Sequence, residues 1–350
     1  MNRNRIATLL LLVVGVALYL YGHVGLTVAI VSLVIGLTII VMTSDPLVEG
    51  LEEFSTATGI GAHVTGILSS LASNLPEAAM SLFMIFSTEL REVAILNILL
   101  ASAFNGLLLG ILVILISYRQ GEVEVPQKAL EHDVEIMRIT IAFSMIIFGT
   151  GVILSLNTNS GPVVIPREVP LFQLISYFGY MYFVSKGPKQ VTEESKKLPV
   201  NKWLIPILIG LAGIVVSAEL ISGASEFFVH RFDLNVVIAA TLIAFAGSVP
   251  EHGLAIVGAR RGNIELGVSN LLSGIVQSIM VIFPFISLIV PVQLDGYVLY
   301  QFLAIAVTLW IVKKSIVDDG RLTIDEGLSI VVIHVLGVLL FDELSFIFTI

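Results

Sequence analysis

Two glutamates stand inside strongly apolar stretches of the sequence, and each directly follows a proline. Glu77 ends the run Ser-Asn-Leu-Pro-Glu, and Glu251 ends the run Gly-Ser-Val-Pro-Glu. A carboxylate at the depth of a membrane is costly to bury and marks a functional site by default. Proline lacks a backbone donor and frees the carbonyl four residues earlier, here at Ala72 and Ala246. Each stretch therefore combines a carboxylate with free backbone oxygens.

More side-chain oxygens accompany both glutamates. Helical spacing places on one face Ser70, Ser73, Asn74, Glu77 and Ser81. The next apolar stretch in each half adds Asn97, Ser102 and Asn105, or Asn270, Ser273 and Gln277. Carboxylates, carbonyls and amides suit a hard divalent cation, since Ca2+ takes about 6–8 oxygen ligands. We therefore predict a cation site that includes Glu77, Glu251, Asn105, Gln277, Ser73, Asn74, Gly247 and Ser248.

A structural interpretation of the same residues stays open. In it, Glu77 and Glu251 are protonated and bond between helices, and the Ser and Asn side chains hold the helices together. The matching Pro-Glu contexts in the two halves favour a functional role for both glutamates. Interhelical hydrogen bonding is the favoured role for Asn97 and Asn270.

The composition requires a membrane protein. Of 350 residues, 56% are hydrophobic and only 13% are charged, whereas soluble domains carry about 25% charged residues. The net charge of −9, without a basic block, makes nucleic acid an improbable partner. The chain has no cysteine, which excludes disulfides, iron–sulfur clusters and thiolate zinc sites.

The apolar runs predict eleven transmembrane helices. They cover approximately 6–22, 25–43, 59–88, 92–117, 137–156, 169–185, 202–228, 235–258, 264–290, 297–313 and 325–346. With a cytoplasmic N-terminus and an external C-terminus, all but three of the 18 Lys and Arg residues fall in cytoplasmic segments. The three exceptions are Arg91, Arg167 and Arg231.

The predicted helices divide into two halves of five. We expect a leading transmembrane helix (1–24), a first repeat (25–186), a cytoplasmic linker (187–201) and a second repeat (202–350). A shift of 174 residues superposes the Pro-Glu pair of Glu77 on that of Glu251. Because five is odd, related halves enter the membrane in opposite orientations. The predicted fold is an all-α membrane protein with two inverted five-helix repeats and broken helices at the midplane.

These motifs resemble the calcium/cation antiporter superfamily, whose paired repeats carry a broken helix with a Gly-Ser/Thr/Asn-x-x-Glu core. Glu251-His252 with a downstream Gln277 is similar to the cation/proton exchanger branch. The resemblance implies that Glu77 and Glu251 are the central cation ligands, with Asn105 and Gln277 nearby. Proline before each glutamate is more usual in the sodium/calcium exchanger branch, in which an Asp typically replaces Gln277.

The expected function is exchange of Ca2+ for H+ by alternating access, with Glu77 and Glu251 as the shared site. The alternative is a Na+/Ca2+ exchanger on the same fold. His252 either relays protons, because imidazole titrates near neutral pH, or packs beside the helix. His334 and His63 are expected to be packing residues.

Other function classes lack their motifs. No His-Glu-x-x-His, Gly-x-Gly-Asp or nucleotide-binding loop occurs, so we expect neither an enzyme nor a nucleotide-driven pump, and no cofactor. A passive channel would differ by its gradient-following flux. The partners are the transported ions and the lipid bilayer. We expect a prokaryotic plasma membrane as the location.

Acidic residues also occur at the ends of the second and seventh predicted helices. Glu52 and Glu226 correspond to each other under the shift of 174 residues. They are predicted to form acidic vestibules that attract cations through their electric field. Solvated helix ends are the alternative for this pair.

Overall fold

The computed structural model describes residues 3–22, 25–58, 62–124, 131–156, 162–185, 198–260 and 264–346. Within these ranges, some helical residues are described by their backbone alone. Three predicted site residues are among them: Ser73, Glu251 and His252.

The described part of the chain is helical except for short connections and one small strand pair. The helices are α1 (Arg3–Tyr21), α2 (Leu26–Thr58), α3 (Ala62–Met84), α4 (Arg91–Gln120), α5 (Glu131–Ser155), α6 (Glu168–Ser185), α7 (Val200–Phe232), α8 (Val236–Arg260), α9 (Ile264–Gln277), α10 (Phe283–Ile289), α11 (Gly296–Asp318), α12 (Ile324–Leu339) and α13 (Phe341–Phe346). A five-residue π-helix, Ser278–Ile282, joins α9 to α10. The strands are β1 (Val123–Glu124) and β2 (Arg321–Leu322), which pair antiparallel.

The predicted spans correspond to these helices. The ninth span comprises α9, the π-helix and α10, and the eleventh comprises α12 and α13. Within the described ranges, six helices are long and apolar enough to cross a membrane: Leu26–Thr58, Arg91–Arg119, Val134–Ser155, Val200–Phe232, Gly267–Ile289 and Gly296–Asp318. The all-α membrane architecture agrees with the prediction.

Two helices run further than the sequence predicted. Both α2 and α7 contain 33 residues, which is about 50 Å at 1.5 Å per residue. A bilayer core of about 30 Å needs only some 20 residues. Apolarity marks only the part inside lipid, and the packing of α2 along α7 stabilises the rest of both helices. The predicted vestibule residues Glu52 and Glu226 therefore lie within helices.

By its internal contacts the chain forms two compact units. The first contains residues 1–97 and 181–250, and the second contains 98–180 and 251–350. Each unit draws on both halves of the sequence. The units are defined by packing and not by sequence repeats. The boundaries of the predicted repeats therefore remain a prediction.

The first unit is organised around the packing of α2 along α7. Small residues bring the two helices close: a Cβ added to Gly213 would lie 2.3 Å from Thr43 Cγ2, and one added to Gly210 would lie 2.5 Å from Leu47 Cβ. In lipid, such close backbone approach replaces the hydrophobic effect as a source of helix association. Helix α3 packs on both α2 and α7, which positions the residues around Glu77.

The second unit is organised around α11, which packs on α5 and α12. Phe283 of α10 and Phe302 of α11 meet edge to face, with ring centroids 4.9 Å apart. Helix α12 begins at a capping box, in which the Thr323 backbone N–H donates to the Glu326 carboxylate at 2.8 Å. The β1–β2 pair joins Val123 to Leu322, both of which are buried.

Candidate cation-binding site

Glu77 lies in the interior of α3, where its side chain is only 1% exposed. The sequence predicted a broken helix at this point, but α3 runs from Ala62 to Met84 with Pro76 inside it. Proline removes one donor and leaves the flanking turns able to continue. Helix α8 likewise continues from Val236 to Arg260 across its own Pro-Glu pair. In each helix, proline therefore removes a backbone hydrogen bond without ending the helix.

Ser248 of α8 contacts Glu77 directly, although 171 residues separate them. The Ser248 Oγ lies 2.7 Å from Glu77 Oε1 and 2.9 Å from the carbonyl oxygen of Ala244. A hydroxyl group has one hydrogen to donate, so Ser248 either shares it between the two oxygens or donates it to one of them. Two full hydrogen bonds form when Glu77 carries a proton: the carboxyl group donates to Ser248, and Ser248 donates to Ala244.

Gly247 permits this contact. A Cβ added to Gly247 would lie 2.4 Å from the Met80 Cε and 3.7 Å from the Glu77 Cγ. An alanine there would displace the flexible end of Met80 and would be in van der Waals contact with the Glu77 Cγ. Glycine at position 247 thus lets α8 approach the face of α3 that carries Glu77.

The same face of α3 continues through two more buried polar residues. Asn74 lies one turn before Glu77 and is 1% exposed. Ser81 lies one turn after it and accepts a hydrogen bond from Asn97 Nδ2 of α4 at 3.0 Å. This is the interhelical role that the sequence favoured for Asn97. The oxygen-lined face predicted from helical spacing is therefore buried at Asn74, Glu77 and Ser81.

The second unit holds two other predicted site residues, which are both buried. Asn105 lies inside α4 and is fully shielded from solvent. Gln277 is the last residue of α9, and its Nε2 lies 3.3 Å from Ser273 Oγ. The π-helix begins at the next residue, Ser278. A π-turn shifts the phase of the side chains that follow it and occurs frequently at functional sites.

Sequence reasoning missed one buried residue beside this π-helix. The Gln173 Nε2 of α6 donates to the backbone carbonyl of Ile279 at 3.2 Å, and Gln173 is fully buried. The carbonyl of Ile279 lies within the irregular π-turn, where a side-chain donor supplies a bond that the helix does not. The signal was present in the sequence, because Gln173 is an amide inside an otherwise apolar predicted span.

The remaining predicted residues have different outcomes. The side chains of Ser73, Glu251 and His252 lie outside the described part, so the meeting of the two glutamates stays a prediction. Glu52 is exposed on α2, and its vestibule role is untested.

His334, predicted to be a packing residue, is buried in the second unit. Its Nε2 lies 3.0 Å from Thr308 Oγ1. A Cβ added to Gly106 of α4 would lie 2.3 Å from that nitrogen. His63 belongs to the residues whose side chains are not described.

A comparison with known families identifies the fold. The family model described as sodium/calcium exchanger protein matches residues 28–186 and 202–341, which is most of the chain. The chain belongs to this family. It is thus a membrane exchanger by family, and the predicted resemblance to the calcium/cation antiporters is confirmed.

Two curated relatives are similar over most of the exchanger chain. The vacuolar cation/proton exchanger 1c of Oryza sativa subsp. japonica is 24% identical over 80% of this chain and 70% of its own length. The putative antiporter CaxA of Alkalimonas amylolytica is 21% identical over 77% of this chain and 83% of its own.

Solved exchanger structures share the fold. The H+/Ca2+ exchanger CAX superposes with a TM-score of 0.74 at 16% identity, over 99% of this chain and 92% of its own. The sodium-calcium exchanger NCX_Mj superposes with a TM-score of 0.61 at 20% identity, over 89% and 97%. At these identities the likeness establishes the fold and leaves the transported ions to the chemistry of the site.

Proposed function

We propose that this exchanger is a secondary active antiporter that moves Ca2+ against H+ by alternating access. The observation that carries the proposal is the contact of Ser248 with Glu77 and Ala244, in which the hydrogen atoms balance when Glu77 holds a proton. With Ser248 as its hydrogen-bond acceptor, the carboxyl group of Glu77 can hold a proton in a hydrogen-bonded state. The same oxygens bind Ca2+ when the proton leaves.

Competition between the two ions follows from burial. Glu77 is almost fully shielded from solvent, and an isolated carboxylate is costly there unless a proton or a cation neutralises it. Loading Ca2+ expels the proton, and loading protons expels Ca2+. Exchange results if only the neutralised states cross between the two faces of the membrane.

The other ligands follow from the repeat. Glu251 occupies the position in the second half that Glu77 occupies in the first, and it supplies the second carboxylate in our proposal. Amide oxygens of Asn74, Asn105 and Gln277 complete an oxygen-only ligand set, which suits a hard divalent cation. Ser73, Gly247 and Ser248 contribute hydroxyl and backbone groups beside them. His252, directly after Glu251, is the proposed proton relay.

The choice of H+ as the counter-ion rests on two supports. Gln277 is a neutral amide, so this position offers no carboxylate to balance additional monovalent cations. A relative similar over 80% of this chain is named a cation/proton exchanger, and a structure of the same fold is named an H+/Ca2+ exchanger.

We place the exchanger in a prokaryotic plasma membrane with its N-terminus in the cytoplasm.

A Na+/Ca2+ exchanger is the second candidate. Proline precedes both glutamates, as is more usual in that branch, and NCX_Mj has the same fold. The two candidates share the Ca2+ ligands and differ in what displaces Ca2+. Gradients imposed one at a time distinguish them.

The deciding experiment measures Ca2+ flux in proteoliposomes under a pH gradient or a Na+ gradient alone. We expect flux driven by the pH gradient, and no flux under either gradient for Glu77→Gln or Glu251→Gln. Flux driven only by Na+ would establish the second candidate. Transport retained by either glutamine variant would contradict the shared site.

Glu92→Gln is the matched control for these variants. Glu92 is an exposed glutamate in the first turn of α4 and belongs to no predicted site. We expect its flux to equal that of the unmodified exchanger. Equal amounts of folded protein, checked by size-exclusion chromatography, separate lost transport from lost folding.

A further inference from the structure

A mixed carboxylate and imidazole cluster lies in the first unit, apart from the residues around Glu77. Glu89 belongs to the turn between α3 and α4, and Glu226 and His230 are one turn apart on α7. One potential ligand atom from each residue lies within 4.8 Å of the other two. The His230 Nε2 pairs with the carboxylate of Glu89. Glu89 and His230 are exposed, and Glu226 is partly buried.

The backbone holds these three residues in place. Glu226 and His230 have the i, i+4 spacing that puts two side chains next to each other on a helix. The turn that carries Glu89 is fixed by backbone hydrogen bonds, from Ile85 N to Ser81 O at 3.1 Å and from Ala94 N to Leu90 O at 2.8 Å. His230 also lies in the last turn of α7, where the helix dipole favours a cation.

The imidazole determines which cation this cluster suits. Two carboxylates alone would form an ordinary acidic patch, and Ca2+ prefers oxygen ligands. One imidazole nitrogen with two carboxylate oxygens matches the ligand types of Zn2+ and similar transition metals, which leave a further position for water. We propose that Glu89, Glu226 and His230 bind a divalent transition-metal ion of the zinc class.

A metal ion held by this cluster connects two parts of the first unit. It cross-links α7 to the turn between α3 and α4, and α3 carries Glu77 while α4 carries Asn97. Alternating access requires helices to move during transport. On the basis of the proposed function, occupancy of the cluster slows exchange by restraining this turn.

The test titrates the purified full-length exchanger with Zn2+ alone by isothermal calorimetry, in the absence of Ca2+. We expect one zinc site, and its affinity to fall about tenfold or more in each of His230→Ala, Glu226→Gln and Glu89→Gln. Glu92→Gln, an exposed glutamate three residues after Glu89, should bind as the unmodified protein does. Unchanged zinc affinity in the His230 and Glu226 variants overturns the proposal.

Cobalt provides an independent measurement. Co2+ bound at low coordination number absorbs visible light through d–d transitions, and this absorption should be present in the unmodified protein and absent in His230→Ala. Inhibition of Ca2+ flux by Zn2+, relieved by the same variant, tests the restraint. The calorimetry and the spectrum need no transport, so the metal site stays testable if the proposed exchange activity fails. Absence of zinc binding overturns the metal site even if exchange is observed.

Discussion

At the scale of single residues, the Ser248 hydroxyl is the group that would hold a proton on Glu77 in the proposed exchange mechanism. It has one hydrogen and two oxygen neighbours, at 2.7 Å and 2.9 Å. When it donates to Ala244, it accepts from the protonated carboxyl group of Glu77. In the proposed mechanism, Ser248 therefore stabilises the proton-bound state of the site and contributes to the pH range of exchange.

We expect Ser248→Ala to move the pH of half-maximal exchange to more acidic values. The variant removes the acceptor of the proton on Glu77, and a hydrogen bond contributes about 0.5–1.5 kcal/mol, which corresponds to roughly half to one pH unit. The measurement is Ca2+ flux in proteoliposomes as a function of pH. Ser248→Thr keeps the hydroxyl and should keep the profile, whereas a shift to alkaline pH in Ser248→Ala would mean that Ser248 donates to an ionised Glu77.

Gly247 and Met80 give a second prediction at this scale. Gly247→Ala should reduce exchange, because its Cβ would meet the Met80 Cε at 2.4 Å and displace this side chain, which lies one helical turn from Glu77. Met80→Ala in the same protein should restore part of the flux, because it removes the obstructing atoms. A double-mutant cycle of initial rates measures the coupling. Purely additive losses would show that Met80 does not transmit the effect.

The sequence predicted which polar residues belong to the candidate site, but it did not predict the contacts between them. Asn74 and Glu77 are buried as their helical spacing predicted. The partnership of Ser248 with Glu77 could not be predicted, because it depends on how two helices distant in sequence pack. Gln173 could have been noticed as an amide in a predicted span, but its partner could not be predicted, because this partner is a carbonyl in a π-turn and no side-chain pattern distinguishes a π-turn from ordinary helix.

At the scale of helices, the close packing of α2 and α7 depends on glycine. We expect Gly213→Ala to lower the melting temperature, since the added Cβ would lie 2.3–2.5 Å from three atoms of Thr43 and overpacking costs about 1–3 kcal/mol. Fluorescence-detected size exclusion after heating measures the change. Gly179→Ala is the matched control, because its added Cβ would meet no atom within 4 Å apart from its chain neighbours and the backbone of its own helix. Equal melting temperatures in the two variants would contradict the packing argument.

The start of α11 allows a prediction about pH. Burial raises the pKa of Asp295, and backbone hydrogen bonds to Val298 and Tyr297 oppose this effect. The Asp295 carboxylate caps the helix by accepting from Val298 N at 2.7 Å. Because the folded state holds the proton more tightly than the unfolded state, protonation of Asp295 contributes stability as the pH falls through its folded pKa.

Two substitutions separate the charge of Asp295 from its capping role. Asp295→Asn keeps an acceptor without a charge, so we expect a melting temperature at neutral pH that equals or exceeds that of the unmodified protein, and a weaker dependence on pH. Asp295→Ala should lose about 1 kcal/mol by removing the cap. The measurement is the melting temperature of both variants over a series of pH values. A lower value for Asp295→Asn than for Asp295→Ala would contradict this account.

Helix existence was predictable here, and helix length was not. Hydropathy located the helices, but α2 and α7 continue beyond the predicted spans to 33 residues each. The extension is stabilised by packing of the two helices on each other, which a hydropathy profile does not contain. For the same reason the small β1–β2 pair was absent from the predictions, since its two strands join chain segments far apart in sequence.

At the scale of the whole molecule, the orientation in the membrane is directly testable. The chain contains no cysteine, so a single introduced cysteine is its only thiol. We expect Lys196→Cys in the linker to react with a membrane-impermeant maleimide from the cytoplasmic side only, and Arg167→Cys from the external side only. Labelling of both from the same side would contradict the predicted topology. The exchange rate of each variant confirms that it is folded.

Contacts among helix ends, loops and strands also constrain how often the chain crosses the bilayer. Two residues that touch outside the bilayer are on the same side of it, so the number of crossings between them is even. Val123 pairs with Leu322, and six predicted spans separate them. Val164 bridges to Gln293, and Glu89 pairs with His230; four predicted spans separate the members of each pair. A single span missed or added in any of these intervals would make its count odd. The three contacts therefore test whether the predicted number of spans between each pair is even, as it must be.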